Sequence, residues 1–161
     1  MQEVAGLYDQ LRDPLYRYLL GLGLSHADAG DGVQETFLRL HQHLRRSGDR
    51  TNLRGWVFQV ARNLVRNEVK RAGRRRTEAM DAGLERQAAG GNSPEDQVLR
   101  RERLQRLRRA IANLTPQQRE CLLLRASGLR YREIAEVLGI GISSVGELVQ
   151  RATARLSEDL S

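Results

Sequence analysis

Apolar residues along this chain recur at spacings of three and four and almost never alternate. That is the signature of amphipathic helices rather than strands. Val4, Leu7, Tyr8, Leu11, Leu15, Tyr18, Leu19 and Leu22 mark a first helix over residues 3–22. Pro14 falls inside it and predicts a kink or a restart, because proline removes a backbone donor and crowds the preceding turn. Gly23 supplies a break, and Ser25 with Asp28 three residues later a capping-type start. A second helix is predicted from His26 to Arg46 with Val33, Phe37, Leu40 and Leu44 inward. Gly30 and Gly32 weaken it, each by about 1 kcal/mol relative to alanine in a helix interior.

A polar loop, residues 45–52, precedes the stretch that organises the first half, LRGWVFQVARNLVRNEVKRAGRRR from Leu53 to Arg76. Leu53, Trp56, Val57, Val60, Ala61 and Leu64 form its apolar stripe. Gln59, Arg62, Asn63, Arg66 and Lys70 fall on the other side at 100° per residue. Arg71, Arg74, Arg75 and Arg76 extend the positive charge, and Glu68 is the only acid. Eight basic residues against that one acid give this segment +7, equal to the formal charge of all 161 residues. A single-sign stripe interleaved with amides suits a polyanion better than a merely solvated face.

From Thr77 to Asn92 the pattern dissolves into an acidic, Gly90-Gly91-containing linker. Ser93-Pro94-Glu95-Asp96 then reads as a helix start, with a cap, a first-turn proline and acids at the positive dipole end. This helix runs through Val98, Leu99, Leu104, Leu107, Ile111 and Leu114, and carries net +5 between Val98 and Asn113. Thr115 caps the next helix, with Gln118 at the capping-box position. That helix holds Cys121 to Leu124 and ends near Gly128. A short helix over Tyr131–Leu138, a Gly139-Ile140-Gly141 turn and a helix opening at Ile142 or Ser143 follow. Ile134, Ala135, Leu138, Val145, Leu148, Val149, Ala152 and Leu156 point inward. An ordinary helical hairpin fits this pattern, but small Ala135 and the turn Gly139 favour a DNA-binding helix-turn-helix.

Composition narrows the classes. The lone Cys121 excludes an internal disulfide framework, and its apolar run predicts a buried structural thiol. No segment approaches the roughly 18 apolar residues of a membrane span, and the N-terminus lacks a signal-peptide core, so a cytoplasmic protein is expected. Asp28, Asp31 and Glu35 line one helical edge, which suits a basic partner; no convergent ligand set makes it a metal site. His41 and His43 stand two apart and point to different sides, against a zinc pair and for boundary positions. No phosphate loop or nucleophile motif argues for an enzyme, and no cofactor is implied.

Taken together, the two halves resemble a bacterial sigma-70-type RNA polymerase sigma factor of the extracytoplasmic function (ECF) group. Asp31-Gly32-Val33-Gln34-Glu35-Thr36-Phe37 is similar to the family's region 2.2 motif, which docks on the polymerase clamp helices. Leu53-Arg54-Gly55-Trp56-Val57-Phe58 and Ala61-Arg62-Asn63 look like regions 2.3 and 2.4, which open and read the minus-10 promoter element. Leu114 to Glu120 and Tyr131 to Gly139 are similar to region 4, which binds the minus-35 element.

The resemblance implies an all-α protein of two small helical domains, 1–76 and 93–161, joined by a flexible linker over 77–92. It implies a specificity subunit with core RNA polymerase and promoter DNA as partners, and it leaves open an anti-sigma protein. Polymerase would meet Asp28, Asp31, Gln34 and Glu35. The minus-10 strand would meet Arg46, Asn52, Arg54, Gln59, Arg62, Asn63, Arg66 and Lys70. The helix-turn-helix would use Ser143, Ser144, Gln150 and Arg151. A stand-alone helix-turn-helix regulator, usually a dimer, is the competing reading; it leaves the acidic edge and the basic helix of the first half without a role. Two departures stand out. Gly32 replaces a larger apolar residue, and Gly146 and Leu148 fall about where the family carries basic residues. From Leu114 to Ser161 six basic residues offset six acids, which predicts weak duplex binding by the isolated second half.

Overall fold

The computed structural model describes residues 2–72 and 93–161, with side chains over 3–67 and 93–161. Among the described residues the helices are α1 (Gln2–Gly21), α2 (His26–Arg46), α3 (Leu53–Ala72), α4 (Pro94–Ala112), α5 (Pro116–Ala126), α6 (Tyr131–Leu138) and α7 (Ile142–Leu160). No strand occurs among the described residues. The linker reading for 77–92, Arg74 to Arg76 and the side chains of Glu68, Lys70 and Arg71 lie outside what is described.

Local chemistry accounts for the helix ends. The Ser25 hydroxyl accepts from the Asp28 amide at 3.1 Å, and Ser93 does the same for Asp96. Thr115 and Gln118 complete a reciprocal capping box, each side chain accepting from the other's amide at 3.1 Å. Gly139 closes α6 at φ 68°, a left-handed conformation that costs glycine no Cβ clash. At Pro14 the expected break is absent: α1 is one helix. Leu11, Leu15, Tyr18 and Leu19 on either side of it are all buried, and that anchorage keeps both halves in one continuous helix.

α1, α2 and α3 pack together as the first bundle, and α4 to α7 form the second. The apolar midline of α3 differs from the sequence reading. Val57, Phe58, Ala61 and Val65 are buried, while Leu53, Trp56, Val60 and Leu64 are half-buried flanks. Trp56 stacks on His43, ring centroids 4.5 Å apart, at the edge of the bundle. Val98 and Leu99 also depart from an inward role, each about half exposed on the first turns of α4. Gly32 sits where α2 crosses α1: an added Cβ would lie 3.0 Å from Leu19 Cδ1. Thr36, one turn on, is fully buried and donates to the Gly32 carbonyl at 2.7 Å. The small residue therefore serves close helix packing.

The two bundles are in contact. α6 lies against α3, α5 touches α1, and one apolar cluster runs from Leu11 through Phe58 to Cys121 and Val149. The sequence reading placed two domains on a tether and did not foresee this contact.

Candidate polymerase and nucleic-acid surfaces

α2 presents a clean division of faces. Ala29, Val33, Thr36, Phe37 and Leu40 are buried, while Asp28, Asp31, Gln34 and Glu35 are all exposed. Leu38, 58% exposed, continues the same edge one turn beyond Gln34 and Glu35. The sequence reading passed over it, although a leucine outside the Val33–Phe37–Leu40 stripe was the available signal. Glu35 pairs with Arg39 at 3.0 Å across one turn, an exposed contact of small energetic weight. The edge thus offers carboxylates around one apolar side chain, as a docking surface for a basic helix requires.

The α3 surface divides in two. Gln59, Asn63 and Arg66 are exposed and share one helical face, and Arg46 is exposed at the end of α2. Asn52, Arg54 and Arg62 are instead engaged by the second bundle. Arg62 pairs through Nε and Nη2 with the two carboxylate oxygens of Glu120 on α5, both side chains under one fifth exposed. The Tyr18 hydroxyl donates to Glu120 Oε1 at 3.3 Å. Burial, with the Glu120 charge adding to it, holds the Tyr18 phenol well above its ordinary pKa, so it stays a donor. Asn52 Nδ2 donates to Glu136 on α6, and Arg54 Nη1 to the Gly128 carbonyl at 3.4 Å.

Asn52 also builds the start of α3. It is the one non-glycine with positive φ among the described residues, at 52°, and its Oδ1 accepts from the Gly55 amide at 3.1 Å. The folded-back side chain, Nδ2 foremost, fills the space that a Cβ on residue 55 would need. The Leu53-Arg54-Gly55 sequence therefore shapes the junction between loop and helix. Tyr18, Glu120 and Glu136 were not foreseen as site neighbours, because nothing local in the sequence links positions so far apart.

In the second bundle, Ser143, Ser144, Gln150 and Arg151 are exposed on one face of α7, with Glu147 among them. Glu147 lies 3.5 Å from Arg151, both side chains 68% exposed, so the face holds its own countercharge. Gly146 packs near Tyr131, to which an added Cβ would come at 3.7 Å. Cys121 is fully buried on the inward face of α5, and burial, then the neighbouring Glu120 charge, push its thiol up to about 11. No group of three or more metal-ligating side chains converges among the described residues. No described helix is long and apolar enough to cross a membrane.

Comparison with known proteins matches residues 7–75 to sigma-70 region 2 and residues 104–156 to sigma-70 region 4. The ECF RNA polymerase sigma factor EcfG of Rhodopseudomonas palustris is 31% identical over 94% of this chain and 85% of its own length. The chain belongs to the ECF group of the sigma-70 family. Another relative is the ECF RNA polymerase sigma factor BldN of Streptomyces coelicolor, 36% identical over 94% of this chain. The chain spans only 58% of BldN and 60% of the ECF sigma factor SigE of Mycolicibacterium smegmatis. Among solved structures, the sigma factor RpoE of Bartonella quintana, in complex with the anti-sigma factor NepR, aligns with a TM-score of 0.67. It is 25% identical and covers 97% of this chain and 94% of its own. CnrH, in complex with the cytosolic domain of CnrY, aligns at 0.68 with 25% identity over 98% and 86% of the two chains. In this ECF chain, region 2 comprises α1 to α3, and region 4 falls on α4 to α7. The helix-turn-helix of region 4 is α6, the Gly139 turn and α7.

Proposed function

We propose that this ECF chain is a promoter-specificity subunit, which binds core RNA polymerase and directs promoter recognition and opening. The observation that carries the proposal is the pairing of two family regions, in order, with an open acidic edge on region 2. Asp28, Asp31, Gln34, Glu35 and Leu38 dock on polymerase. The outer face of α3, with Gln59, Arg62, Asn63, Arg66 and Lys70, holds the separated minus-10 strand, and Arg46, Asn52 and Arg54 frame the loop that receives a flipped base. Extruding a base costs a few kcal/mol, which cationic and stacking contacts along the strand must offset. Ser143, Ser144, Gln150 and Arg151 meet the minus-35 duplex and fix the upstream end. The chain carries out no chemistry of its own and works in the cytoplasm beside polymerase. An anti-sigma protein is a further partner, on the precedent of RpoE with NepR and CnrH with CnrY.

A stand-alone helix-turn-helix regulator is not favoured, since it leaves the α2 edge and the α3 face without a task. Docking is tested by reversing Asp31 and Glu35 to Lys together. The double variant is expected to lose binding to core polymerase in a pull-down while its helical circular dichroism is unchanged. Full retention of polymerase would remove the α2 edge from the mechanism.

A further inference from the structure

We infer that Glu147 reads cytosine: from the outer face of α7 its carboxylate accepts a hydrogen bond from the exocyclic N4 amine of a cytosine in the upstream duplex. The inference rests on the reading of that face as the one that meets the minus-35 element.

At Glu147 charge and position conflict. α7 packs inward through Val145, Val149 and Ala152, all buried. At 100° per residue, Ser143, Glu147, Gln150 and Arg151 fall on the opposite side, and all four are exposed. Glu147 stands in the middle of this set, its side chain 68% exposed. It is also the only charged residue from Ile142 to Gln150. In a helix-turn-helix, that first part of the second helix reaches the base edges. A carboxylate there repels phosphates and weakens sequence-independent binding. It gains a partner only where the duplex offers a donor.

The groove chemistry selects the base. An ionised carboxylate accepts and cannot donate. Guanine turns N7 and O6 towards it, and thymine O4, all of them acceptors. Adenine offers the N6 donor but sets the N7 acceptor beside it. Cytosine presents its N4 amine as a donor without that neighbour. The stretch Ile142 to Gln150 also holds no arginine or lysine, the side chains that pair bidentately with guanine. Arg151, one turn on, lies 3.5 Å from Glu147 Oε1 and offsets part of the repulsion from the backbone. A carboxylate has lone pairs for several donors, so that contact and the cytosine contact coexist. Along the axis Ser143 lies about 6 Å ahead of Glu147 and Gln150 about 4.5 Å behind. The cytosine therefore sits inside a short element whose neighbouring positions face Ser143 and Gln150. Removing Glu147 moves general affinity and selectivity in opposite directions: binding tightens and cytosine is no longer preferred.

The test uses the full chain assembled with core RNA polymerase and a library of long randomised duplexes. Bound duplexes are sequenced for the chain and for Glu147→Gln and Glu147→Lys, both at an exposed position outside the core. The unaltered chain is expected to enrich an upstream element with a fixed cytosine, and thymine at that position lowers affinity about tenfold. Glu147→Gln moves the preference at that one position to adenine, whose N6 and N7 suit the amide, and Glu147→Lys moves it to guanine. A merely structural role for Glu147 would not re-aim a single base position. An upstream element without a fixed cytosine, or a cytosine retained by both variants, would overturn the assignment to Glu147 and leave the helix-turn-helix reading standing. The parent reading has its own control. If no upstream element is enriched, and Ser143, Ser144 and Gln150 replaced together by Ala leave the selected sequences unchanged, the α7 face does not read the duplex, and the inference falls with it.

Discussion

Gly55→Ala is the substitution for which helix propensity and the structure give opposite answers. Residue 55 lies in the first turn of α3, and alanine in place of glycine within a helix ordinarily adds up to about 1 kcal/mol of stability. At Gly55 the new methyl would overlap Asn52 Nδ2 and lie 2.8 Å from its Cγ and Oδ1. The Asn52 side chain must leave, and with it goes the cap bond to the Gly55 amide, worth roughly 0.5–2 kcal/mol. Asn52 then keeps its φ of 52° without the local hydrogen bond that supports it. The exposed contact to Glu136 is lost too, which adds little. The losses exceed the gain, and a net destabilisation of about 1 kcal/mol follows. Gly30→Ala is the matched control, since an added Cβ there meets nothing within 4 Å. It is expected to stabilise by roughly 0.5–1 kcal/mol. Urea unfolding followed by circular dichroism separates the two, with midpoints moving in opposite directions at unchanged slope. Equal stabilisation by both substitutions would mean that the Asn52 side chain does not occupy the start of α3 as described.

Three other outcomes follow from the same geometry. Phe58→Ala is expected to cost about 3–5 kcal/mol and Trp56→Ala clearly less, because Phe58 is fully buried and Trp56 is a half-buried edge residue stacked on His43; equal urea midpoints would contradict that ranking. The Cys121 thiol, pushed up to about 11, should resist a thiol reagent at neutral pH until the chain unfolds; the stability from keeping it neutral is complete below its unfolded pKa and is lost as pH rises towards about 11, which pH-dependent unfolding would track. Gly146→Lys with Glu147→Ser should raise duplex affinity and steepen its salt dependence by about one log–log unit per added phosphate contact; tight, steeply salt-dependent binding by the unaltered chain would show that α7 needs no added charge.

The helices were legible because their punctuation is local. Ser25, Ser93 and the Thr115–Gln118 box act within three residues, and α2 and α6 start and stop where caps and periodicity place them. The all-α class and the ECF resemblance were legible for the same reason: their motifs are contiguous. What escaped depends on neighbours distant in sequence. α3 meets α1 and α2 on one side and α6 on another, so its apolar stripe is broad, and periodicity alone centred it on Trp56 and Val60 instead of Phe58 and Val65. Val98 and Leu99 fit a helical repeat, yet they lie on the exposed first turns of α4, and burial of this helix begins with the half-buried Leu104 and Leu107 and is complete at Ala110. The Arg62–Glu120 pair spans 58 positions, and no spacing rule reaches across such an interval. Likewise Gly32 and Gly55 read as helix weaknesses or motif letters, whereas Leu19 and the Asn52 side chain explain why each is small.

The most direct test of the assignment is run-off transcription on genomic fragments with core polymerase, with and without the chain, paired with permanganate probing of unstacked thymines. Discrete transcripts and reactive thymines about the start site are expected only when the chain is present. Replacing Arg62, Asn63 and Arg66 with Ala should suppress thymine reactivity more than polymerase binding. Transcripts that are identical without the chain, or duplex binding by a dimer that ignores polymerase, would contradict a role as a specificity subunit.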